Sequence, residues 1–194
     1  FLRGENGGQS KPLLREVTFS GNRAAIAGSA VGNYGFGGEA SPVFDNVTFS
    51  GNSAIAGAIF NQASLSGGVA SPVLRSVTFA GNQAQAPYAA AIHSATDAVA
   101  SSVVTVDNAI FWDAAGQREI GFETTSGTVV VSDAAMRAGC PNAAQITCHN
   151  VISTDPLLGV LQDNGGATPT TLPGPGSSAV DAGDPATCGS APFD

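Results

Sequence analysis

The chain has 194 residues, of which 43% are hydrophobic and only 11% charged, and its formal net charge is −8. A chain this apolar and this weakly charged is not disordered, and its length allows one sizeable core. Its seven basic residues are scattered singly, which excludes the Lys/Arg stripe of a nucleic-acid or anionic-membrane surface, and no run of about 20 apolar residues could span a bilayer.

One stretch occurs three times in the first half: PLLREVTFSGN at 12–22, PVFDNVTFSGN at 42–52 and PVLRSVTFAGN at 72–82, with a spacing of 30 residues each time. A fixed period of this size is the signature of a solenoid, whose units bury their apolar faces only against their neighbours. Alternation within each stretch directs Val17 and Phe19 inward and Thr18 outward, and likewise for Val47, Thr48, Phe49 and for Val77, Thr78, Phe79. In-register stacking then sets Phe on Phe and Val on Val. Leu14, Phe44 and Leu74 precede the Val by three residues, so a corner is expected between them. Asn22, Asn52 and Asn82 follow a turn glycine, where stacked amides can bond from coil to coil.

By the same period Phe1 stands opposite Val31, in mid-repeat, so the start reads as a fragment edge. GNYGFGG at 32–38 superficially suggests a phosphate loop, but it precedes no helix; it reads as a bulge that offers Tyr34 and Phe36 to solvent. A second recurring element, GSAV at 28–31, AGAI at 56–59 and AAAI at 89–92, suits a strand lying close against the coil interior. The alanine-rich 84–100 comes nearest to a helix, and Pro87 with its β-branched neighbours weakens that reading. After residue 100 the repeat degrades. Val106–Phe111 echoes Phe44–Phe49, Trp112 follows and faces outward, and further core strands are expected at 128–133 and 146–152.

Cys140 and Cys148 bracket a short turn-rich loop with no metal-site spacing, which reads as a local disulfide of a secreted protein rather than two buried thiols. The odd Cys188 points to a partner beyond Asp194. From Asp155 onward Gly and Pro are dense, so 155–194 is expected to close or run along the stack formed by 1–154. These features predict an all-β parallel β-helix of about five or six coils, about 25–30 Å tall at the inter-strand spacing.

Two sets of residues resemble known families. FSGN/FAGN with GSAV, AGAI and AAAI resembles the FxxN and GGAI repeats of polymorphic outer membrane proteins, bacterial passengers with a right-handed parallel β-helix fold. The tail, with DPLLG at 155–159, DNGG at 163–166, Thr168 and GSSAVDAG at 176–183, resembles the closing signature of secreted bacterial β-helix proteins with a choice-of-anchor Q region. There Ser178 stands for a Pro and Val180 for an Ile. The resemblance implies a secreted or cell-surface location and a further Cys-containing stretch that would pair Cys188, hence a cut C-terminus as well.

No catalytic, cofactor-binding or metal-binding residue is assigned, and no cofactor is expected. Arg15, Asp45 and Arg75 recur at equivalent positions with Asp107 one position off in phase, which fits an exposed ion-pair ladder better than a lyase or hydrolase site. Asp163, Asp181 and Asp184 could hold a cation, but they are equally ordinary turn residues. Tyr34, Phe36, Tyr88 and Trp112 are the expected aromatic contacts for glycans or proteins. The expected role is a non-enzymatic stalk, adhesive passenger or self-assembling unit whose partner is itself, end to end or laterally, or a surface glycan or protein. The alternatives are a carbohydrate-active enzyme or glycan-binding module and, third, an ice-binding solenoid built on Thr18, Thr48 and Thr78.

Overall fold

The computed structural model describes residues 1–186, so Cys188 lies outside the described residues. Thirteen strands and no helix make up the described chain. In order they are β1 (Leu2–Glu5), β2 (Gln9–Ser10), β3 (Leu13–Ser20), β4 (Val31–Phe36), β5 (Glu39–Ala40), β6 (Val43–Ser50) and β7 (Ile59–Ser64). There follow β8 (Val73–Ala80), β9 (Ala89–Thr96), β10 (Val103–Trp112), β11 (Arg118–Phe122), β12 (Thr128–Met136) and β13 (Ile146–Ile152). One parallel sheet stacks β1, β4, β7, β9 and β11; a second stacks β3, β6, β8, β10, β12 and β13; β2 and β5 form a short third ladder. This is a parallel β-helix. From β1 to β11 it winds about four complete turns, slightly fewer than the five or six expected, although the deeper sheet is six strands tall.

The repeated stretch builds that deeper sheet. Val17, Val47 and Val77 are in register, and so are Phe19, Phe49 and Phe79. The Phe rings stack at 5.2 and 4.7 Å, and Phe111 continues the file at 5.0 Å, with all interplanar angles at or below 8°. Val106 pairs with Leu74 and Phe111 with Phe79, so the degenerate echo keeps the register of the clean repeats. The expected corner is present. Glu16, Asn46, Ser76, Asn108, Asp133 and Asn150 all have φ of 50–55° and drop out of the ladder, bending each long strand between its two inward positions. Asp107 pairs directly with Arg75, so it is in phase and the expected one-residue offset is corrected.

The amide ladder is also built. Asn52 Oδ1 accepts both the backbone and side-chain N–H of Asn22, at 3.0 and 2.9 Å, and Asn82 Oδ1 does the same for Asn52 at 2.9 Å each. Asn52 and Asn82 are fully buried, so each rung satisfies groups that water cannot reach.

The second recurring element enters a strand rather than forming one. β4 and β7 begin at Val31 and Ile59, the aliphatic ends of GSAV and AGAI, and only AAAI lies wholly within its strand, β9. Within the alanine-rich 84–100, residues 89–96 are thus extended and turns flank them. GNYGFGG is corrected more sharply: Val31–Phe36 is a paired strand, not a bulge. A Cβ on Gly35 would stand 2.0 Å from the Val69 carbonyl oxygen, so its glycine admits the opposite wall of the coil. Leu2 pairs with Asn33, which sets Phe1 against Gly32 rather than Val31.

The closing segment runs along the stack. It forms antiparallel bridges at Leu158–Pro173 and Gln162–Thr170, and the Thr18 hydroxyl donates to the Pro169 carbonyl at 2.6 Å, at the first coil. It then returns to the fourth, where Asp184 N–H donates to Asn108 Oδ1 at 2.8 Å. Thr48 lies on the face between these anchors and is only 6% exposed. The Thr column is therefore not the free, flat array an ice-binding face needs.

Candidate functional site

Alternation along the five-stranded sheet turns Val31, Asn33 and Gly35 inward and leaves Tyr34 and Phe36 on the outer face of β4. Register adds Arg3 and Glu5 from β1, Phe60, Gln62 and Ser64 from β7, and His93 from β9. The rings form a continuous strip. Tyr34 meets Phe36 at 5.3 Å and Phe60 at 6.1 Å; Phe60 stacks on His93 at 6.1 Å and 13°; Tyr88 meets His93 edge-on at 5.0 Å. Three of the four expected contact aromatics, Tyr34, Phe36 and Tyr88, therefore share one face. Trp112 does not join them: it lies on the other sheet with the Arg137 guanidinium 4.4 Å from its ring centre.

Exposure is graded along the strip. Phe60 is 9% and His93 2% exposed, whereas Tyr34 and Phe36 are half-buried. Phe1, Arg3, Tyr34 and Phe36 line a shallow recess beside β1, with Arg3 5.5 Å above the Phe36 ring and paired with Glu5. Burial raises the Tyr34 phenol above its ordinary value, against the Arg3 charge. Burial, then Arg118, pushes His93 down to about 4, so its imidazole is neutral at neutral pH. His93 Nδ1 accepts the Ala89 N–H at 3.3 Å, while Nε2 is buried without a protein partner.

The acidic positions do not converge on a ligand. Arg15 binds Asp45 through Nε and Nη2 at 2.8 and 2.7 Å. Asp107 is raised by burial, with Asp133 and Asp184 adding to it against Arg75. Asp163 accepts the Gly165 N–H at 2.9 Å, and Asp184 accepts that of Ala186 at 2.9 Å, each a local turn. Asp163 belongs to the hairpin at the first coil and Asp184 docks at the fourth, so the two are not neighbours. Among the described residues no three His, Cys, Asp or Glu side chains gather around a metal position. Cys140 and Cys148 are joined in a disulfide, Cα to Cα 6.1 Å.

Sequence reasoning missed Phe60 and His93, although each directly follows the aliphatic of its repeat, Ile59 and Ile92. It also missed a second buried ladder. Asn33 donates to Asn61 Oδ1 at 2.8 Å, and Asn61 donates to Ser102 Oγ at 2.9 Å. Comparison with protein-family models, with curated proteins and with solved structures finds no match in any of the three.

Proposed function

We propose that the chain is a non-enzymatic β-helix of a cell surface or secreted protein, acting as a stalk, adhesive passenger or self-assembling unit, with the aromatic strip as its contact face. The observation that carries this reading is the continuous row of rings on one face of the five-stranded sheet, with Tyr34, Phe36 and Tyr88 half-buried at the surface, since a contiguous apolar patch held at a surface is a recognition feature. The disulfide is in keeping with an oxidising, extracellular setting. The tail's resemblance to choice-of-anchor Q proteins supports the same location. End-to-end association of copies would pair a strand edge left open at an end of the stack. A glycan array run with the wild type and a Tyr34→Ala/Phe36→Ala variant tests the contact face. Binding that the double variant loses supports the proposal; equal binding by both removes the strip from it. Sedimentation over a wide concentration range tests assembly, and a strictly monomeric profile counts against it.

The second reading is a glycan-binding module or carbohydrate-active enzyme. What favours it is that Gln62 and Ser64 stand in register beside Tyr34 and Phe36, where a sugar stacked on the rings would need hydroxyl partners. Calcium-dependent release of new sugar ends from an acidic polysaccharide would favour the enzyme, and binding without turnover the module.

A further inference from the structure

The buried amide ladder ends on two acids. Asn82 donates its backbone and side-chain N–H to Asp113 Oδ1, both at 2.8 Å. Met136 is opposite Phe111, so the next position on the ladder is Ala138, which has no amide to continue it. Instead β11 breaks register between Arg118 and Ile120 and turns Glu119 inward, where its Oε1 accepts the Arg137 N–H at 2.9 Å. Asp113 and Glu119 are 1% and 3% exposed, and Asp113 Oδ2 and Glu119 Oε2 are both buried with no protein partner. We propose that these two carboxyls form a proton-controlled latch between the fourth coil and the fifth, closed while the pair holds its protons and loosened when both ionise.

The reason is charge. The groups facing the pair are each other, the N–H donors of Asn82, Arg137 and Ala138, and one cation, Arg137, whose guanidinium also covers Trp112. Two buried carboxylates against one cation leave net negative charge in the interior, where it is costly. Burial pushes Asp113 up to about 7 and Glu119 up to about 8, with the Asp113 charge adding to the latter. Both folded values lie above the unfolded ones, near 4. The folded chain therefore holds more protons between those limits. Its stability falls as pH rises through that interval and stays at the lower level above it. The strain falls on the turn after β10, the start of β11 and the turn after β12, which together join the fourth coil to the fifth.

The test is the thermal unfolding midpoint of the full, disulfide-intact chain from about pH 6.5 to 9, above the interval in which His93 contributes. The wild-type midpoint should fall across it. Asp113→Asn, which adds a rung of the same chemistry as the other three, should flatten the fall and raise the midpoint at the alkaline end, and adding Glu119→Gln should remove what remains. A flat wild-type profile, or an Asp113→Asn profile parallel to it, overturns the latch. Should the variants not fold, carboxyl-carbon NMR titration of the wild type decides: midpoints above about pH 6 for both side chains support it, and a lower one for either overturns it.

Discussion

Core side chains stack in files along the axis, most uniformly in the Phe19–Phe49–Phe79–Phe111 file, so a single substitution acts on a file rather than on a site. Phe79 is fully buried between Phe49 and Phe111, with rings at 4.7 and 5.0 Å. Phe79→Ala should lower stability by about 3–5 kcal/mol in urea unfolding, through lost burial and an uncollapsed cavity. Asn52→Ala should cost about 1–3 kcal/mol for each donor it strands, because the Asn22 backbone and side-chain N–H groups both lose their acceptor, whereas Asn82 Oδ1 keeps the Asn52 backbone N–H. His93 gives a pH signature opposite in sign to that of the buried acids. Its folded value, about 4, lies below the usual 6.5, so its contribution is present above about pH 6.5 and lost as pH falls toward 4. His93→Phe should remove that acid-side loss, read as an unfolding midpoint that rises more steeply than the wild type's as pH falls from about 6.5 to 4, because the buried acids are then unopposed.

The working element is the bent long strand, and its bend depends on a left-handed residue. Asn46, Asn108, Asp133 and Asn150 suit that conformation, whereas Glu16 and Ser76 adopt it without the same ease. Ser76→Asn should stabilise by about 0.5–1 kcal/mol, and Asn46→Val should destabilise by about 1–2 kcal/mol, both measurable by denaturant titration. Gly35→Ala is the severe case: its methyl would meet the Val69 carbonyl at 2.0 Å, and we expect no folded protein at ordinary temperature, checked by circular dichroism. The inward files, the corner and the first amide ladder were legible because they recur at the same position three times. The five-stranded sheet was less so. After the aliphatics Val31, Ile59 and Ile92, its inward positions use Gly, Ala, Asn and Ser, residues whose composition matches that of a turn, and GNYGFGG looks like a loop until the opposite wall is seen to need the space. Asp113 and Glu119 were not legible at all, since the turn glycine of FSGN is missing from FWD and a strand irregularity brings Glu119 inward.

Over the whole molecule, stability is a sum over neighbouring coils, with the disulfide and the closing segment as the long-range ties. The Cys140–Cys148 bridge spans eight residues in sequence and joins the last corner to β13. Reducing it should lower the protection of the last coil by about 2–3 kcal/mol in hydrogen exchange while leaving β6 and β8 unchanged. The closing segment touches both the first coil at Thr18 and the fourth at Asn108, so it clamps windings that otherwise meet only their neighbours. All of this depends on consecutive windings lying in register. A nuclear Overhauser experiment on chain labelled only at Phe and Asn addresses that directly. Ring-to-ring contacts between Phe49 and Phe79, and amide contacts between Asn52 and Asn82, 30 residues apart in each case, are the expected result. Their absence in a folded sample, or contacts of these rings with residues outside the file, would contradict the stack.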